Sequence, residues 1–245
     1  NCHLLGCLRL DGDDQPVAGQ RLSFNKPFAL NALPGDALTQ ALAADPRLAP
    51  FMAVASKENG LDVEGLSVRG NRVLVGLRGP VLRGIALVLD LRLEGLDGAS
   101  PMLSLANLRH RYLDLSGLAV RDLAVLPDSD DVLILAGPTM TLTGPCYLFH
   151  WRDAFADSRN DGDTITVEAP EPLLWIRDGR LPARSQDPDH PEGSDKPEGV
   201  DVQRHGDRLV AWVGYDDPKR ARCHPDGDDS KTRSRTMLDG FVLPL

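Results

Sequence analysis

The sequence predicts an all-β protein, a β-propeller assembled from diverged four-stranded blades with one short helix inserted near its start. Three observations predict it. A strand opening of the form Glu-Gly-apolar-x-Val recurs along the chain. Each copy runs through a tight turn into a second, strongly apolar strand. Short apolar runs punctuated by Gly, Asp, Asn and Pro fill most of the rest.

The first copy is Glu64-Gly65-Leu66-Ser67-Val68, followed by Arg69-Gly70-Asn71 and the strand Val73-Leu74-Val75-Gly76-Leu77. The last is Glu198-Gly199-Val200-Asp201-Val202, followed by His205-Gly206-Asp207 and Leu209-Val210-Ala211-Trp212-Val213. Between them, Arg121-Asp122-Leu123-Ala124-Val125 leads through Pro127-Asp128-Ser129-Asp130 to Val132-Leu133-Ile134-Leu135. Third strands are expected at Ile85–Leu89, Tyr147–Trp151 and Phe241–Leu243, and fourth strands at Arg111–Leu115 and Leu173–Ile176. An inner strand, a hairpin, a buried second strand and two outer strands make a propeller blade.

The chain then divides as a single domain over residues 1–245. It holds a partial blade at 1–51 with a helix near 36–45, blades at 52–115 and 116–177, a loop at 178–197, and a blade at 198–245. The helix rests on the turn Pro34-Gly35-Asp36 followed by Ala37, Leu38, Ala41 and Leu42 at helical spacing, and Asp45-Pro46 ends it. The copies lie 57 and 77 residues apart, counted from Val68 to Val125 to Val202. Ordinary blades run to about 40–50 residues, so these carry inserted loops. A propeller must close, because an open one leaves unpaired edges. One or two N-terminal blades are therefore expected to be missing from this chain, either lost or supplied by a second chain.

Composition narrows the function classes. The net charge of −9 argues against a nucleic-acid partner, since phosphate binding needs a basic face. No apolar run approaches the roughly 18 residues of a membrane span. Of the 27 basic residues 22 are Arg, which suits planar recognition of anions and also suits a GC-rich coding bias. Four cysteines make no disulfide framework; Cys7 and Cys146 sit in apolar runs and read as small core residues. Cys2, His3, Cys223 and His224 match no compact zinc spacing. There is no Gly-x-Ser-x-Gly elbow, no His-Glu-x-x-His and no P-loop, and the six histidines are scattered.

The stretch from Ser56-Lys57-Glu58-Asn59-Gly60-Leu61-Asp62-Val63-Glu64-Gly65 into Gly76-Leu77-Arg78-Gly79-Pro80-Val81-Leu82-Arg83-Gly84 resembles an uncharacterised bacterial family, domain of unknown function 3616. Gly117–Leu123, Ile134–Met140, Lys196-Pro197-Glu198-Gly199 and Asp239–Leu243 extend the likeness over essentially the whole chain. The resemblance implies a propeller-like fold and carries no activity with it. The compartment is left open between the bacterial cytoplasm, which is favoured, and the periplasm. More distantly, the acidic-Gly strand openings look like those of phytase-like propellers, in which acidic residues at the inner strand starts hold calcium.

In a propeller the inner strands converge on the axis, so Glu64, Arg121 and Glu198, equivalent by the repeat, should lie near one another. Asp62 and Asp122 flank them, and Arg78 and Arg83 are expected on the loop joining the second and third strands. One expectation is an anion site in which Arg78, Arg83, Arg121, Asp122 and Lys57 bind the ligand. A second is calcium held by Asp62, Glu64 and Glu198. A third is an internal salt-bridge network that locks the blades together. The expected function is a binding or scaffold module that recognises a small anionic ligand or a protein partner at the central funnel. The alternative is a calcium-dependent phosphoester or ester hydrolase of phytase-like type.

Overall fold

The computed structural model describes residues 6–10, 16–23, 37–94, 104–140, 144–156, 165–177, 196–216 and 237–245. Strands β1 (Gly6–Leu10) and β2 (Pro16–Ser23) pair as an antiparallel two-stranded sheet. Helix α1 (Ala37–Ala44) follows, within the span the sequence assigns to it, and two 3-10 turns, Ala49–Phe51 and Ser56–Glu58, lead into the large sheets.

The first large sheet is formed by β3 (Asp62–Arg69), β4 (Arg72–Gly79), β5 (Ala86–Glu94) and β6 (Ser104–Leu113). The second contains β7 (Ala119–Val125), β8 (Val132–Gly137), β9 (Cys146–Trp151) and, after the two-residue β10 (Val167–Glu168), β11 (Glu171–Arg177). The third is β12 (Lys196–His205), β13 (Arg208–Asp216) and β14 (Met237–Val242). Within each sheet, successive strands pair antiparallel, as tight hairpins demand. Gly70 and Gly206 supply the positive φ (60° and 59°) that two-residue hairpin loops need.

Strand chemistry explains the stacking. Every residue of β8 is buried, because it is a continuous apolar run covered on both faces. Neighbouring residues on one strand serve different cores. Leu123 packs with Leu74, Val88, Ile134 and Phe149 between the first and second sheets. Ala124, next in sequence, packs with Leu133, Val200 and Val213 between the second and third. A third core lies on the other face of the first sheet, where Leu38, Leu42 and Leu48 cover Val75, Leu89 and Leu91. Each fully buried Leu contributes roughly 2 kcal/mol of apolar transfer. The first strand β7 therefore lies between the other two, with β3 on one side and β12 on the other. This is a propeller-like arrangement of twisted sheets around their first strands.

Two features depart from uniform four-stranded sheets. The first sheet gains β10 as a parallel fifth strand beside β6, through Val167 opposite Tyr112 and Glu168 opposite Leu113. The third sheet has three strands among the described residues. The second sheet has the expected four, in the order β11-β9-β8-β7. Strand β12 opens at Lys196, inside the stretch read from sequence as loop.

The Glu-Gly opening acquires a steric meaning here. Val120 of β7 seats over Gly65 and Gly76 of the first sheet; a Cβ on Gly76 would lie 2.4 Å from Val120 Cγ1, and one on Gly65 3.1 Å from it. Any larger residue at Gly76 would push Val120 and β7 away from β4.

Candidate functional site

The three first strands share one irregularity. Between Val63 and Gly65, between Val120 and Asp122, and between Pro197 and Gly199, two steps along the first strand match one step along its partner. The extra residues are Glu64, Arg121 and Glu198. A bulge at the same repeat position re-aims one side chain per sheet toward the shared centre. A fourth irregularity lies opposite the first, between Asp62 and Val63, and there Arg78 of β4 is the extra residue.

These four side chains meet. Arg121 donates through Nη1 to Glu64 Oε2 at 2.9 Å and to Glu198 Oε2 at 3.0 Å and Oε1 at 3.2 Å. Its side chain is only 7% exposed, and it bridges the first and third sheets from the second. Arg78 donates to Glu64 Oε1 at 2.5 Å and lies 3.5 Å from Asp62 Oδ2. Its Nε reaches the Thr139 carbonyl at 3.4 Å, tying the β8 exit to the same centre. Burial disfavours the Arg78 charge, but Glu64, Asp62 and Glu198 outweigh it and push its pKa up. Gly137 leaves room for Arg121: a Cβ there would sit 3.3 Å from its Cγ and Nε.

The remaining expected ligands are placed differently. Asp122 faces backbone. Its carboxylate accepts the Leu123 and Val200 N–H groups, both at 2.8 Å, and a Leu66 backbone bond, so it clamps β7 to β12 and β3. Burial pushes the Asp122 carboxyl up, against the lowering effect of those N–H groups. Lys57 is exposed on the 3-10 turn before β3. Arg83 is exposed in the Leu82–Ile85 turn with φ 53°. Asn59 links the two segments, donating to the Val81 carbonyl at 3.1 Å and accepting the Val81 N–H at 2.7 Å. Lys57 and Arg83 thus stand exposed on two linked segments, outside the ion-pair cluster itself.

Asp62, Glu64 and Glu198, the carboxylates expected to hold calcium, converge on guanidinium groups. Among the described residues no group of three or more His, Cys, Asp or Glu is gathered so as to hold a metal ion. Cys2, His3, Cys223 and His224 lie outside the described residues. Cys146 is buried at the start of β9.

Sequence reasoning missed a second, peripheral network. Asp90 of β5 holds Arg72 at 2.5 Å and Arg111 at 3.3 Å, and Glu168 of β10 holds Arg111 at 2.6 and 2.8 Å. Trp151 Nε1 donates to Glu168 at 2.9 Å, and Arg111 lies 4.7 Å above the Trp151 ring. The guanidinium groups also cap backbone, Arg72 on the Phe155 carbonyl and Arg111 on that of Ala154. The available signal was Asp90, a lone acid inside the apolar run Ala86–Leu93. Also missed was His150, which sits 2.6 Å from Asp131 at a groove between the second and third sheets.

The fold and the cluster define an all-β, propeller-like protein whose first strands meet at an arginine–carboxylate centre. The chain belongs to the family of proteins of unknown function DUF3616, whose model matches residues 15–229. No curated protein matches it.

Proposed function

We infer that the chain is a non-catalytic binding or scaffold module, a propeller of diverged four-stranded blades that further blades complete, and that its partner is a protein. The observation that carries this reading is Arg121, nearly buried and bridging Glu64 and Glu198 from the sheets on either side. A small anion would have to displace carboxylates already seated on Arg121 and Arg78. That exchange gives up charge-assisted hydrogen bonds to gain similar ones. The centre therefore serves as the lock that presets the sheets, and recognition falls to exposed residues outside it, among them Lys57, Arg83 and Met140.

The alternative reading is a calcium-dependent phosphoester hydrolase, favoured by the convergence of Asp62, Glu64 and Glu198. One set of measurements separates the readings. Thermal unfolding is followed with phosphate, citrate, calcium or chelator added, alongside a p-nitrophenyl phosphate assay. The scaffold reading expects an unchanged midpoint throughout and no hydrolysis. Stabilisation by phosphate or citrate that disappears in Arg121→Met would restore the small-anion site. Stabilisation by calcium together with chelator-sensitive hydrolysis would establish the enzyme.

A further inference from the structure

We draw no further inference here: the strongest candidate, the groove between the second and third sheets where His150 meets Asp131 and which Arg152, Arg204 and Asp207 also line, carries nothing because nothing in the structure shows what covers it.

Discussion

The central and peripheral ion-pair clusters use the same residue types and differ in every other respect. The peripheral set is drawn mainly from one sheet and is closed: the side chains of Arg72, Asp90, Arg111 and Glu168 are all about a tenth exposed or less. Its guanidinium groups stack on Phe155 and Trp151 and cap two backbone carbonyls. The central set draws on all three sheets, and it is graded, from Arg121 at 7% exposed to Glu198 at 33%. Burial with complete hydrogen bonding makes a lock. The same pairs left open at one end make a lock with a face. The difference teaches that arginine–carboxylate clusters are distinguished by which elements they join and by how far water reaches them.

The largest expected effect is Asp90→Ala. It strips Arg72 and Arg111 of a shared, buried partner and should cost about 3–5 kcal/mol in urea unfolding. A loss below 1 kcal/mol would show the peripheral lock to be dispensable. Arg121→Met comes next. It leaves Glu64 and Glu198 facing each other, yet partial exposure lets water relieve them, so about 2–3 kcal/mol is expected. The same variant sharpens the contrast, because taking the Arg121 charge from between Glu64 and Glu198 should make its thermal midpoint rise with calcium where the wild-type midpoint does not.

A smaller effect is expected from Glu198→Gln. With a third of the side chain open to solvent, losing its charge should cost about 1 kcal/mol, and the loss should shrink with added salt. A salt-independent loss would mean that the centre is as closed as the periphery.

The smallest effect concerns pH. Burial raises the Asp122 carboxyl above its ordinary 3.8, so the folded chain holds that proton more tightly than the unfolded chain. Asp122 should therefore contribute a fall in stability as pH rises from 3.8 to its raised value. Asp122→Asn should flatten that part of the pH–stability curve, and an unchanged curve would remove Asp122 from the account.

How much was legible depended on the length of the signal. The juxtaposition of Glu64, Arg121 and Glu198 followed from aligning five-residue openings, because equivalent positions in stacked repeats must be neighbours. Arg78 was assigned to a loop, whereas it belongs to β4 and reaches the centre through its own bulge. Asp122 was grouped with the ligands by adjacency to Arg121. In a strand adjacent residues point apart, and the bulge sends Arg121 to the centre and leaves Asp122 on the backbone of β12. Glu168 could not be found, since a two-residue strand has no periodicity and β10 pairs with another sheet.

By itself the sequence determined the strand-rich character of the protein, its helix, its tight glycine turns and the register that makes three distant openings equivalent. Those are local properties, set by side-chain alternation and by the backbone freedom of Gly70 and Gly206. Only the tertiary structure decided which carboxylate holds which arginine, and that Val120 needs Gly65 and Gly76 bare. Those outcomes depend on the ångström-scale separation of sheets distant in sequence, a distance that no single strand specifies.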